Sequence, residues 1–218
     1  MSTADIDALL ARAEVEDELP EELCDRVVAT GVTLAEFDAL PNDPTLDRML
    51  MRGDLWERPM TVRNRWHSSS ESRIAALLDR WLEETGRDGV VLSGEAGVER
   101  PDADSRWGVD VMYCDGKALA ATPADAKYIR GVPKLVVEIL STADSFERIN
   151  AKAEEFFDLG VPMVWIVDPK NRTVVVRMSD GSAQHLREPD TLDGGDVLPG
   201  FAVVVGKIFD RSYGRSAG

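Results

Sequence analysis

Three residues of the 218-residue chain have types and positions that could do chemistry together: Asp110, Glu138 and Lys152. Glu138 lies inside Leu135-Val136-Val137-Glu138-Ile139-Leu140, a run apolar enough to be a strand covered on both faces. A buried carboxylate without a partner is very costly, so this one must have a partner. A buried ion pair or a strand end open to water would serve, and so would a metal ion or an acid–base role. In Val109-Asp110-Val111-Met112-Tyr113, alternation puts Val109, Val111 and Tyr113 on one face and Asp110 with Met112 on the other. Aspartate is disfavoured in mid-strand, and alone it reads as a solvent-facing residue. Lys152 flanks a helical stripe of Phe146, Ile149, Ala153, Phe156 and Phe157, where a lysine stem can run along the core edge to a neighbouring strand end. Taken alone it reads as surface cover. Two carboxylates on adjacent strands and an ammonium on the intervening helix can converge at one sheet edge. Carboxylate oxygens are the ligands Mg²⁺ requires, and such an ion activates water and stabilises charge on a phosphate in transfer. That is the minimal kit for phosphodiester hydrolysis.

The elements that must position these residues follow from periodicity. Val90-Val91-Leu92, 109–113, 135–140, 163–167 and 173–177 are rich in β-branched residues and predict strands. A helix is expected from about Ser145 to Leu159, stopped by Gly160. Strand, helix, strand with short joints predicts a right-handed crossover and a parallel pair. Asp168-Pro169-Lys170-Asn171 predicts a hairpin connection, and residues 48–58 a strand pair around Arg52-Gly53-Asp54. Ile74, Leu77, Leu78, Trp81 and Leu82 recur at helical spacing within Ser68–Glu84, before Gly86. Thr33-Leu34-Ala35-Glu36 has the capping-box pattern, and residues 4–29 predict helix broken near Pro20. The fold class is therefore α/β (α+β), a mixed sheet with flanking helices and an N-terminal helical extension.

The segments Val109-Asp110, Pro133 to Ser141, Lys152, Gly160 to Pro169 and Asp196 to Phe201 resemble the Uma-two-type restriction endonuclease family of the PD-(D/E)XK nuclease superfamily. The likeness covers roughly residues 46–210. The resemblance implies a restriction-endonuclease-like core and a metal-dependent endonuclease. Asp110 matches the family's Pro-Asp aspartate and Glu138 its second acidic residue, both binding Mg²⁺ or Mn²⁺. Lys152 matches a lysine supplied by the next helix in place of Leu140. The family often carries a glutamate in the first helix or strand of the core, and Glu57 is the candidate. Val109 replaces the expected proline, Met49 stands where relatives often have a glutamate, and Pro101-Asp102 in a turn-rich segment is a rival for the motif. These departures leave a second reading, a catalytically inactive nuclease-fold module for binding or regulation. The implied division is an acidic extension over 1–45, a nuclease-like domain over 46–211 and a tail over 212–218.

Charge and composition bound the rest. The net charge is −15, which argues against a general nucleic-acid binder, but residues 1–47 alone hold 13 acids and 2 bases. The stretch Arg48 to Arg73 holds six arginines against three acids. There, Arg58, Arg63 and Arg65 interleave with Trp56 and Trp66, a pattern that fits either a nucleic-acid track or a solvated loop with core tryptophans. His67 reads as a helix-entry residue or a phosphate contact. Ser141 has no histidine in a recognisable triad pattern. Cys24 and Cys114 have neither metal nor redox spacing and fit a reducing cytosol. No 18-residue apolar run and no apolar leader segment occurs, so a cytoplasmic protein is expected. Its expected partners are nucleic acid, DNA before RNA, and a second copy as a homodimer, with no membrane.

Overall fold

The computed structural model describes residues 26–60, 63–141, 144 and 146–209, the side chains of 146–148 excepted. The first strand, β1 (Arg26–Ala29), pairs antiparallel with β3 below. Residues 26–29 were expected to end a helix. Four residues carry too little local preference to resist a strand partner, and pairing with Leu55 to Glu57 decides their state. The rest of the expected N-terminal helix lies outside the described residues. Helix α1 (Leu34–Ala39) has the full capping box, with Thr33 and Glu36 bonded reciprocally. Strands β2 (Leu46–Met51) and β3 (Asp54–Pro59) form the expected hairpin, turning through Arg52 and Gly53, both at positive φ.

Asn64 caps α2 (Arg65–Thr85) by accepting from the N–H groups of Trp66 and His67, and Gly86 ends it in a left-handed conformation. Strand β4 (Val90–Arg100) is far longer than Val90–Leu92 suggested. It hairpins through a short 3₁₀ turn, Pro101–Ala103, into β5 (Ser105–Cys114). Asp102 is an exposed residue of that turn, so Pro101-Asp102 is a connection between strands. Helix α3 (Gly116–Ala120) is capped by Asp115. Then come β6 (Leu135–Ile139), α4 (Phe146–Leu159) and β7 (Met163–Asp168), with β6 and β7 parallel as the crossover required. Strands β8 (Thr173–Met178) and β9 (Ala183–Arg187) complete the main sheet. Strands β10 (Thr191–Asp193) and β11 (Ala202–Val204) form a small separate pair. Among the described residues no helix is long and apolar enough to cross a membrane.

The sheet order is β1-β3-β2-β5-β6-β7-β8-β9, with β4 on the other edge of β5. Each face carries its own core. On one face, Ile74, Leu78 and Trp81 of α2 pack with Val111, Val137, Ile139 and Trp165. On the other, Phe156 and Val161 pack with Trp107, Met112, Val136 and Val164. Val109 belongs to this second cluster, although alternation placed it beside Val111. Alongside, β4 carries a bulge: Ser93 pairs Val111 and Ala96 pairs Val109, so Gly94 and Glu95 together oppose Asp110. Both have positive φ. An extra residue bends a strand and re-aims its neighbours, and here it does so beside the candidate carboxylate.

Residues 26–39 are integral to this body. Besides the β1 pairing, α1 is held by Asp38 to Arg106 and by Leu34 N–H donating to Asp104. Arg106 also binds Glu99, a buried carboxylate that takes Arg130 as well. Cys114 is fully buried, and burial, then the adjacent Asp115 charge, pushes its thiol up to about 12. The folded protein is therefore expected to resist iodoacetamide at Cys114 at about pH 8, since the thiolate is the reactive form. Mass spectrometry of the Cys114 peptide, with and without guanidinium, reads this directly; rapid native labelling would contradict it.

Candidate active site

Strand β5 has two edges, and β4 occupies one along its length. The other edge is shared. Strand β6 pairs with Val111 to Tyr113, and β2 pairs with β5 at Arg106. Between them, residues 107–110 have no ladder partner on that side among the described residues, and the candidate chemistry lies in this opening. Continuing the β5–β6 register by one residue from Val111 and Val137 sets Asp110 opposite Glu138. Opposed residues of an antiparallel pair stand roughly 5 Å apart at Cβ. The ladder stops there, and the Asp110 carboxylate replaces it: Oδ2 accepts the Ile139 N–H at 2.7 Å.

Glu138 and Lys152 are both buried and bonded, Nζ to Oε2 at 2.7 Å. Lys152 Nζ also donates to the Gly108 carbonyl at 3.1 Å, on the unpaired edge of β5. The lysine reaches this point because α4 buries Ile149, Ala153 and Phe156 against the sheet and leaves Lys152 on the flank facing the opening. The structure thus brings Asp110, Glu138 and Lys152 to one place. Glu57 lies elsewhere: it is on β3, ion-paired with Arg48 at 2.7 Å, and strand β2 stands between it and the strand of Asp110. Met49 is buried in the second core cluster.

On the α2 side of Asp110 stand residues whose role sequence reasoning did not assign. His67 is 1% exposed and its Nε2 lies 3.3 Å from Asp110 Oδ2. Its Nδ1 lies 3.8 Å from Glu71 Oε2, one helical turn on. Glu71 accepts the N–H of Gly94 at 2.7 Å, within the bulge. Arg63 approaches Asp110 Oδ1 at 3.1 Å and also binds Glu95 of the bulge. The signal was present in the sequence as His67 and Glu71 at a spacing of four, in line with Ser70, Ile74 and Leu78 on the buried stripe. A histidine in that stripe is a polar interruption that needs partners.

Burial alone would push the Asp110 carboxyl up. The hydrogen bond and charge of His67, then the charges of Arg63 and Lys152, outweigh it and hold the group below the ordinary carboxylate value. A group depressed on folding stabilises the fold above its unfolded value, and that contribution is lost as pH falls through the folded value. Wild type should therefore lose more stability than Asp110→Asn when titrated downward from about pH 4, the ordinary range for an aspartate. Urea unfolding of both proteins across this range gives the comparison, and parallel curves would contradict it.

Of the six arginines between 48 and 73, four are bound to acids within the fold: Arg48 to Glu57, Arg52 to Glu155 and Asp158, Arg58 to Asp47 and Asp144, Arg63 to Glu95 and Asp110. Arg65 stacks over Trp66 at 4.9 Å. The stretch is mostly internal pairing rather than a uniform cationic surface. A cleft of about 530 Å³ beside Arg52, Arg100, Asp104 and Asp158 includes none of Asp110, Glu138 or Lys152 in its lining.

Residues 34–206 match the model of the Uma2 family, described as "Putative restriction endonuclease". The chain belongs to that family. The Uma2 match includes everything from α1 to the end of β11, and so all of the residues gathered around Asp110. A crystal structure of a "putative nuclease belonging to DUF820" from Anabaena variabilis is similar, with a TM-score of 0.69 and 18% identity. The similarity covers 82% of this chain and 97% of that one. At this identity the likeness shows a shared fold. No curated protein matches the chain.

Proposed function

We propose that this Uma2 protein is a metal-dependent endonuclease that hydrolyses nucleic-acid phosphodiester bonds, DNA before RNA. Asp110 and Glu138 would hold Mg²⁺ or Mn²⁺, with Lys152 assisting. The observation that carries this reading is the opening beside β5, where a buried lysine binds a buried glutamate opposite an aspartate. The donor set fits the ion, because two carboxylates on rigid strands are the hard oxygen ligands that Mg²⁺ and Mn²⁺ take. Such an ion supplies an activated water and stabilises charge on the phosphate.

The chain's own residues do the rest. The Ile139 N–H fixes the Asp110 carboxylate in one orientation. Gly108 and Glu138 hold the Lys152 ammonium at the opening, where it can orient a water or offset negative charge as the P–O bond breaks. Both tasks need positions set before substrate arrives, and strands set positions better than loops.

The test is cleavage of supercoiled plasmid and of single-stranded DNA with Mg²⁺ or Mn²⁺. Cleavage by wild type that is lost in Glu138→Gln supports the reading. A wild type inert toward both substrates with either ion overturns it and leaves the inactive binding or regulatory module.

A further inference from the structure

We propose that the exposed face of the N-terminal half of α2 seats the nucleic-acid backbone, its acid-free arginines and serine hydroxyls contacting phosphates to one side of the cleavage position. The choice of partner rests on the nuclease reading; the surface itself is tested by binding alone, without an ion.

Of the six arginines between 48 and 73, two have no acid partner among the described residues, and both are on this helix: Arg65 and Arg73. Each is held by a neutral partner instead. Arg65 stacks over the Trp66 ring at 4.9 Å, and Arg73 Nε donates to Ser69 Oγ at 3.4 Å. Their charges therefore stay uncompensated. At 100° per residue, Arg65, Ser68, Ser69, Ser72, Arg73 and Ala76 share a face about 140° wide, opposite buried Ile74 and Leu78. All six are exposed or half-exposed.

This face departs from what a merely solvated helix needs. The chain holds 40 acids in 218 residues, yet Glu71 is the only one between Met60 and Leu78. Its carboxylate is turned inward, to the Gly94 N–H and His67. The first turn of α2, where the helix dipole favours an acid, has none. Ser68, Ser69 and Ser72 are weak helix formers at exposed positions where alanine or glutamate would serve the fold better. Beyond Leu78 the helix returns to the mixed signs of a solvated face, with Asp79, Arg80, Glu83 and Glu84. Uncompensated arginines, small hydroxyl side chains and no repelling acid match a phosphodiester strand, which takes charge and donors at its phosphates and needs room to approach.

The face also continues from the candidate active site. Arg63 lies 3.1 Å from Asp110 Oδ1, and Arg65 follows two residues later. His67 is on the opposite side of α2, so a strand bound on the serine face reaches Asp110 by passing the N-terminal end of the helix, where the dipole favours an anion.

The experiment is fluorescence anisotropy of a labelled DNA single strand and a labelled duplex, titrated with the full chain in EDTA across a salt series. The double variant Arg65→Gln/Arg73→Gln should bind both about tenfold more weakly at low salt, alike for unrelated sequences, and its log–log salt slope should fall by about 0.7–0.9 per arginine. Lysine at both positions should keep most of the affinity. Ser68→Asp puts an acid near the helix N-terminus, so its stability in urea should be unchanged or higher while DNA binding weakens, a loss that unfolding does not explain. Arg187→Gln, on β9, should change nothing. Wild type that binds neither DNA, or a double variant with wild-type affinity and slope, overturns the inference. So does polyglutamate that binds as tightly as DNA through the same arginines, because the partner is then an acidic protein. Cleavage lost in Glu138→Gln but unaltered by the arginine pair at every salt concentration would sink this surface and spare the nuclease reading; arginine-dependent DNA binding by a chain that cleaves nothing would do the reverse.

Discussion

Lys152→Met is expected to abolish cleavage and to destabilise the fold by about 3–5 kcal/mol, while adding Glu138→Gln restores most of the stability and none of the activity. Glu138 and Lys152 are each under a tenth exposed and share a 2.7 Å hydrogen bond. Removing the ammonium alone leaves a carboxylate charge in a poorly solvated place, and that desolvation is the main cost. The lysine's bond to the Gly108 carbonyl is lost as well. Neutral residues at both positions remove the charge problem, so the double variant should approach wild-type stability. Catalysis behaves differently, because it needs the charges themselves. A positioned acid–base or ammonium group contributes about 10²–10⁴-fold, and neither single nor double variant retains it. Urea melts of the four proteins give the stability cycle, and plasmid cleavage gives the activity. A double variant that cleaves like wild type would make the pair a structural ion pair only.

Much of the scaffold was readable because local chemistry and final pairing agree. The apolar runs of β6, β7 and β8 could only be buried strands, and the helix between β6 and β7 required the parallel pair that is found. The Thr33–Glu36 box and the Gly86 stop mark helix ends by their own hydrogen bonds and φ. What could not be read is what tertiary contact decides. Strand β4 runs through Ser93-Gly94-Glu95-Ala96-Gly97, a polar, glycine-containing stretch that resembles a loop until β5 pairs with it. The bulge there sets two residues of β4 against Asp110 alone, a displacement no alternation rule contains. At the site, Glu138 betrayed itself as a charge in an apolar strand. His67 did not, because its partner Asp110 is 43 residues away and only the fold brings them together. Glu57 was chosen by likeness to a family pattern, and its side chain is engaged with Arg48.

The position of Lys152 depends on a residue one turn along the same helix. Phe156 is fully buried and lies 5.5 Å, ring to ring, from Trp107, the neighbour of Gly108. This contact fixes α4 over the unpaired edge of β5, and so fixes the lysine over the opening. Phe156→Ala is expected to cost about 3–5 kcal/mol, the transfer energy of the ring plus the cavity it leaves in a close-packed core. Phe156→Leu keeps most of the volume and should cost less than about 1.5 kcal/mol. Urea melts measure both. Cleavage per folded molecule adds a second readout. If α4 packing aims the ammonium, Phe156→Ala loses activity even where it is fully folded, and Phe156→Leu keeps most of it. Equal activity in the two folded variants would show that the Gly108 carbonyl and Glu138 hold Lys152 without help from the core.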